Sequence, residues 1–167
     1  MTDLVFVVER AQVAIAMKHA PIAIEASPAE LAAALGAVAS RYLAVGTPRS
    51  IGLVGDPADA ARSLAAHRTW FQPRDIRCTE AAVEGGRTVP LAEALAADIV
   101  CVHVPIELTA RKLRRGTHVN LLVPGFALDA ELAQIAVVSR QDPDLARLAA
   151  GLVDGRQLDE ITIFLVA

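Results

Sequence analysis

The chain alternates between apolar runs of strand length and segments with the spacing of amphipathic helices. Val, Ile and Leu dominate five runs, at residues 50–55, 98–104, 117–123, 135–139 and 160–166. Runs of this kind are typical of parallel strands, because helices cover both of their faces. Between the runs, apolar residues recur every three or four positions, as at Leu31, Leu35, Val38 and Tyr42. The alternation predicts an α/β fold with a mostly parallel sheet and helices on both faces.

The N-terminal segment departs from this alternation. Its short apolar stretches are interrupted by Glu9-Arg10, Lys18-His19 and Pro21, a pattern that favours a small meander or hairpin. We expect a β appendage over residues 1–26 that covers a sheet edge or pairs with another subunit as a dimerisation element. Residues 27–167 then form one main domain, since no internal repeat or low-complexity linker divides them.

Three helix starts share one signature, a capping side chain followed by proline. They are Ser27-Pro28, Asp56-Pro57 and Asp142-Pro143. The side-chain oxygen caps free backbone amides, and proline suits the first helical position because no amide partner is needed there. Glu30 stands three residues after Ser27 and completes a capping box.

The stretch "SIGLVGDPADA" is a strand, a glycine turn and a helix start, the arrangement in which dinucleotide-binding proteins hold a pyrophosphate. Gly55 fits the tight turn. Pro57 stands where a second glycine would let the backbone approach the pyrophosphate, and it has no N–H. Asp56 adds negative charge at the helix end that would otherwise attract an anion. Gly55, Asp56 and Ala58 are therefore candidate cofactor contacts, with NAD or NADP possible but disfavoured.

Two further residues are candidates at the same edge of the predicted sheet. Glu80 ends the predicted strand "DIRCTEAA" at about the distance expected for a ribose contact, and Arg77 is a possible partner for a 2′-phosphate. The alternative for Glu80 is a solvated turn residue. His103 lies in an apolar strand near the expected cofactor and is a candidate contact to a nicotinamide or a substrate. The alternative is a core or edge histidine with one hydrogen bond.

The remaining polar residues give weaker signals. His118 and Asn120 alternate along one strand and share a face, which is either a polar lining of the crevice or a partly covered face. His19 and His67 fall in segments predicted to lie at the surface. The chain has no Ser-His-Asp order, nucleophile elbow or metal-ligand spacing, so a hydrolase and a metal site are not predicted.

Composition limits the partners. The chain has 16 Lys and Arg against 19 Asp and Glu, and the basic residues are scattered except at 111–115, at the end of a predicted helix. Aromatic residues make up only 4%, which argues against stacking on single-stranded nucleic acid. No apolar run approaches the roughly 20 residues that a membrane-spanning helix needs. We therefore expect neither nucleic acid nor membrane as a partner.

Cysteine usage and the N-terminus bear on the compartment. Cys78 and Cys101 each lie in an apolar run, where a thiol serves as a small hydrophobic group. The start "MTDLVFVVER" lacks the basic residues and the long apolar core of a signal peptide. Both observations indicate a reducing, cytoplasmic location.

Four motifs in order resemble those of the ornithine cyclodeaminase/mu-crystallin family, whose members carry a Rossmann-like dinucleotide domain. They are "GAVASRYLA" (36–44), "LAEALAADIVCVHVP" (91–105), "LRRGTHVN" (113–120) and "LVDGRQLDEITIF" (152–164). The resemblance extends from about residue 21 to the C-terminus. It implies that the main domain is Rossmann-like.

The chain differs from the family at positions that carry its chemistry. A substrate-binding Arg-Thr pair is replaced by Ala34 and Leu35, and the Gly-x-Gly-x-Gln-Ala turn becomes "GDPADA". The loop with the catalytic aspartate is shortened, so that Asp129 resembles a helix start. The family's N-terminal substrate domain has no room here, and no motif aligns Lys18 with the catalytic lysine. The resemblance therefore does not imply cyclodeaminase activity.

Three hypotheses follow from the sequence. In the first, the protein is a non-catalytic relative that binds a small ligand or assembles with itself or with a fuller paralogue. In the second, it is an NAD(P)-dependent oxidoreductase that acts on an amino or imino acid, with a pocket completed across a subunit interface. A third is a scaffold whose crevice is filled by side chains. Fold resemblance alone does not choose among them.

Overall fold

The computed structural model of the chain describes residues 8–11, 25–140, 146–150 and 159–166. These residues include nine strands: β1 (Ser50–Val54), β2 (Asp75–Cys78), β3 (Arg87–Thr88), β4 (Ile99–Val102), β5 (Glu107–Leu108), β6 (His118–Leu121), β7 (Ala127–Leu128), β8 (Val137–Arg140) and β9 (Thr162–Leu165). The labelled helices are α1 (Pro28–Leu43), α2 (Pro57–His67), α3 (Leu91–Leu95), α4 (Ala130–Ile135) and α5 (Ala146–Ala149).

Seven strands form one sheet in the order β3-β2-β1-β4-β6-β9-β8, and every pair in it is parallel. The chain continues from β1 to one side through β2 and β3, and then crosses back to β4 on the other side. The carboxyl ends of β1 and β4 therefore form a topological switch point, the place where ligands bind in open α/β sheets. The predicted Rossmann-like α/β fold is confirmed. Strands β5 and β7 form a separate parallel pair.

Helices cover both faces of the sheet. Successive side chains of each strand point to opposite faces, so each strand contributes to two buried clusters. On one face, Ile51 and Leu53 of β1 belong to a buried cluster with Ala60 and Leu64 of α2. On the other face, α3 and α4 contribute to a second cluster with Val100 and Val102 of β4, Val119 of β6 and Ile163 of β9. Both faces of the central strands β1 and β4 are thus closed to water, which explains their continuous apolar runs.

Three of the described helices, α1, α2 and α4, are capped by a Ser or Asp side chain, whereas α3 begins after Pro90 without a side-chain cap. Ser27 and Glu30 form the predicted capping box, in which the amide of Ser27 donates to Glu30 Oε2 at 2.7 Å. Asp56 caps α2, and Asp129 accepts from the amide of Leu132 at 2.7 Å to cap α4. Asp142-Pro143 lies outside the described residues.

Gly52 allows helix α3 to approach β1 directly. A Cβ at this position would lie 2.1 Å from the carbonyl oxygen of Ala94. The backbones therefore meet where any other residue would separate them. This contact fixes the position of α3 on the central strand.

One prediction about the fold needs correction, and others are not tested. Residues 111–115 do not end an α-helix, because only a 3-10 turn forms there, at Ala110–Lys112. Of the predicted β appendage, the structure describes residues 8–11, which are helical, and 25–26. The rest of that segment, including Lys18 and His19, lies outside the described residues, and its dimerisation role stays a prediction. No helix in the described part of the chain is long and apolar enough to span a membrane.

Candidate functional site

Gly55 and His103 meet at the switch point between β1 and β4. Gly55 has a φ of 135°, a conformation that favours glycine, and a Cβ there would lie 2.8 Å from Cβ of His103. The amide of His103 donates to the carbonyl of Val54 at 2.8 Å. The two strand ends are therefore held against each other, with the side chain of His103 at the crevice.

The amides of the glycine turn already have partners inside the chain. Asp56 Oδ1 accepts from the amides of Ala58 at 2.8 Å and Asp59 at 3.0 Å. The amide of Gly55 donates to Thr79 Oγ1 at 3.2 Å, and Pro57 has no amide hydrogen. The hydrogen bond from the backbone amide of Asp59, followed by the one with its side chain, is the main reason that the pKa of Asp56 is lowered. An anionic carboxylate thus occupies the end of α2 that a pyrophosphate would need.

His103 is half-buried and anchored by one ring nitrogen. Its Nε2 lies 2.9 Å from Ser63 Oγ on α2. Within the described residues, this contact is the hydrogen bond that the imidazole ring makes. Burial lowers the pKa of His103, while the charge of Asp59 raises it and that of Arg62 lowers it. The imidazole is therefore neutral near pH 7, and its Nδ1 is the ring nitrogen not engaged by Ser63.

The candidates Glu80, just after β2, and Arg77, on β2, have different surroundings. Glu80 follows Thr79 at the carboxyl end of β2, and its side chain is exposed, while its carbonyl accepts from Thr88 Oγ1 at 2.8 Å. Arg77 donates through Nε and Nη2 to Asp75 Oδ2 at 2.8 and 2.6 Å and through Nη1 to the carbonyl of Glu93. The guanidinium of Arg77 is therefore hydrogen-bonded to Asp75 and Glu93. These contacts give no support to the prediction that Arg77 binds a 2′-phosphate.

Three polar residues expected near the surface or crevice lie in the core. His67, His118 and Asn120 have no exposed surface. The prediction that His67 lies at the surface is wrong, because the last turn of α2 faces Ser40 of α1, whose Oγ lies 2.9 Å from His67 Nε2. His118 and Asn120 share a covered face, as one of the two alternatives proposed, and do not line a crevice.

Further residues singled out in the sequence are buried in the core. Ala34 and Leu35 are buried in α1. They stand where the family that the sequence motifs resemble has its substrate-binding Arg-Thr pair. Cys78 and Cys101 are buried free thiols, and burial raises the pKa of Cys101 to about 12. The described residues contain no group of three His, Cys, Asp or Glu side chains placed to hold a metal ion.

Sequence reasoning missed Ser63 and Thr79, which hold the turn and His103 in place. Ser63 lies within a helix and Thr79 directly after a strand, and neither belongs to a motif. Their contacts span 40 residues to His103 and 24 residues to Gly55. Contacts of that separation leave no local signal in the sequence.

Solved structures share this fold. An archaeal alanine dehydrogenase, described as a dimer with bound NAD, superposes with a TM-score of 0.71 at 23% identity, covering 82% of this chain and 57% of that one. A Δ1-pyrroline-2-carboxylate reductase from Thermococcus litoralis, in complex with NADH and L-proline, gives 0.67 at 19% identity, covering 83% and 59%. A lysine cyclodeaminase gives 0.66 at 22% identity, covering 83% and 54%. No family model and no curated protein sequence matches the chain.

These neighbours are proteins of the ornithine cyclodeaminase/mu-crystallin type, the family that the sequence motifs resemble. At identities below 25%, the similarity establishes the Rossmann-like fold. The chain spans less than three fifths of the length of these three solved chains. Their ligands and reactions belong to them, and the chemistry of this chain must be argued from its own turn and crevice.

Proposed function

We propose that the protein is a divergent, non-catalytic relative of the ornithine cyclodeaminase/mu-crystallin family that acts as a small-ligand-binding accessory protein. The observation that carries the proposal is the carboxylate of Asp56, which accepts from the amides of Ala58 and Asp59. A pyrophosphate would have to displace this carboxylate and would be repelled by its charge. Pro57 offers no replacement donor. Tight NAD(P) binding in the usual position is therefore disfavoured.

The ligand site in this proposal is the crevice at the carboxyl ends of β1 and β4. His103 is the residue expected to contact the ligand, since Ser63 anchors Nε2 and leaves Nδ1 toward a bound molecule. A neutral imidazole nitrogen can donate or accept, so a ligand with a polar hydrogen or a lone pair fits. We also propose that the protein assembles with a second copy or with a fuller paralogue, since the archaeal alanine dehydrogenase that shares its fold is described as a dimer.

The test is the thermal midpoint of the purified protein with millimolar ligand, because selective binding to the native state raises it. NAD+, NADH, NADP+ and NADPH are expected to leave the midpoint unchanged. L-proline, L-lysine and L-ornithine serve as probes of the small-ligand site, and a rise with one of them should be lost in His103→Ala. A rise with a dinucleotide would contradict the proposal, and no rise with any amino acid would contradict this class of ligand.

A second candidate is an NAD(P)-dependent oxidoreductase acting on an amino or imino acid, with its pocket completed across a subunit interface. The positive φ of Gly55 favours it, because the tight turn of a dinucleotide site is retained at the switch point. This candidate expects a cofactor held by other backbone amides near the same turn. Gly55→Asp should then abolish cofactor binding, and unchanged binding would rule out this location.

A further inference from the structure

Five buried side chains form a continuous row of hydrogen bonds between the sheet and helices α1 and α2. From β9 the row passes through Thr162 Oγ1 to His118 Nδ1 at 2.8 Å, and from His118 Nε2 to Asn120 Oδ1 at 3.0 Å. Asn120 Nδ2 then donates to Ser40 Oγ at 2.9 Å, and Ser40 Oγ lies 2.9 Å from His67 Nε2. His67 Nδ1 ends the row at the carbonyl of Ser63, at 2.8 Å.

The carbonyl at one end fixes the direction of every bond in the row. A carbonyl oxygen only accepts, so His67 Nδ1 must carry a hydrogen. Burial lowers the pKa of His67 to about 4, so the ring is neutral at pH 7 and its Nε2 accepts the hydroxyl hydrogen of Ser40. Ser40 Oγ can then only accept from Asn120, which places the NH2 group of Asn120 on that side.

The same reasoning continues into the sheet. Asn120 Oδ1 faces His118 and only accepts, so His118 Nε2 carries the hydrogen of that ring. Burial lowers the pKa of His118 to about 3, so its Nδ1 accepts the hydroxyl hydrogen of Thr162. The carbonyl of Leu43 lies 3.1 Å from Thr162 Oγ1 as a second acceptor for the same hydrogen.

We propose that these side chains form a directed hydrogen-bond latch, running from Thr162 to the carbonyl of Ser63, that holds α1 and α2 on the sheet and is weakened by acid. A proton on His118 turns the hydroxyl of Thr162 to the carbonyl of Leu43, and both ring nitrogens remain bonded. A proton on His67 Nε2 makes that nitrogen a donor to Ser40 Oγ, and the hydroxyl hydrogen of Ser40 loses its acceptor. Acid therefore weakens the latch between α1 and α2, because it leaves one buried donor without a partner.

Other titratable groups next to the latch do not supply a compensating negative charge. Cys101 of β4 has its Sγ 3.8 Å from His67 Nε2 and from Asn120 Nδ2, and its thiol stays neutral. Burial is the main cause of the lowered pKa of both rings; a positive charge on His103 adds to the effect at His67, and one on His67 adds to it at His118. The two charged groups identified around these histidines thus oppose protonation and do not assist it.

The test is nitrogen-15 NMR of the histidine rings at pH 7.5, with His19→Gln, His103→Gln and His118→Gln used to assign the four histidines. We expect His67 as the neutral Nδ1–H tautomer and His118 as the neutral Nε2–H tautomer. His67 in the Nε2–H form, exchange between tautomers, or a doubly protonated ring would overturn the latch.

Matched variants test whether the row is connected as inferred. Thr162→Val removes the donor to His118, so the nitrogen-15 signal of Nδ1 should move toward that of a free lone pair. Thr117→Val removes another buried hydroxyl, which donates to the carbonyl of Ala97 outside the row, and should leave that signal in place. An equal response to both variants would contradict the proposed direction.

Discussion

Gly55 and His103 approach so closely that a Cβ on residue 55 would lie 2.8 Å from Cβ of His103. The contact joins the carboxyl ends of β1 and β4 and defines the crevice in which a ligand would bind. It depends on a glycine both for space and for a φ of 135°. The geometry of the candidate site therefore requires a residue without a side chain at position 55.

Gly55→Ala should lower the free energy of unfolding by about 2 kcal/mol or more, because strain and overlap act together. Gly46→Ala is the control, since Gly46 also has a positive φ of 60° but no atom lies within 4 Å of the place that its Cβ would take. It should cost about 1 kcal/mol from conformation alone. Urea unfolding measures both values, and equal losses would show that the contact with His103 does not matter.

Gly52→Ala should be more severe than either change. Its Cβ would meet the carbonyl oxygen of Ala94 at 2.1 Å, and a backbone atom cannot rotate away. We expect a loss of more than about 3 kcal/mol, or no folded protein. Gly36→Ala in α1 meets the flexible end of Leu122 at 3.0 Å, and should change stability by less than about 1 kcal/mol because alanine favours helices. Comparable losses in the two variants would contradict the close approach of α3 to β1.

Asp56→Ala should lower the free energy of unfolding, since the amides of Ala58 and Asp59 lose their acceptor. Asp56→Ser keeps a capping oxygen and removes the charge, so most of that stability should remain. Thermal or urea unfolding distinguishes the two. A loss as large in Asp56→Ser as in Asp56→Ala would show that the charge, rather than the cap, stabilises α2.

Stability should fall as the pH is lowered from 7.5 to 5. Burial lowers the pKa of His67 to about 4 and that of His118 to about 3, from an ordinary value of 6.5. The unfolded chain therefore binds more protons below pH 6.5, and each histidine increases the unfolding constant by up to tenfold per pH unit. Its stabilising contribution is complete above about pH 6.5 and is lost progressively below it. Urea unfolding at several pH values that gives a constant free energy would contradict the buried, neutral assignment.

The sheet was predictable from the sequence because its strands are covered on both faces. The runs that became β1 and β4 are apolar almost without interruption, and the caps at Ser27, Asp56 and Asp129 mark helix starts. Strands of two residues, such as β3, are too short to give a pattern of their own. They form only because a neighbouring strand offers a free edge.

The candidate site was predictable only in part. The sequence places Gly55, Asp56 and Pro57 in one turn, and the presence of a proline already indicates a missing donor. It does not show that Thr79 takes the amide of Gly55. The burial of His67 could not be inferred either, since its partner Ser40 lies 27 residues away on another helix. Such side-chain pairs depend on how α1 and α2 pack on the sheet.

The central claim is that Asp56 and Pro57 leave no working pyrophosphate site, and equilibrium titration with NADH and NADPH tests it most directly. Ligand fluorescence is followed for the natural chain and for the variant that combines Asp56→Ser with Pro57→Gly, which restores a glycine and removes the charge. We predict no saturable binding by the natural chain up to millimolar concentration and measurable binding by the variant. Failure of the variant to bind would contradict the role given to these two residues. Saturable micromolar binding by the natural chain would contradict the account as a whole.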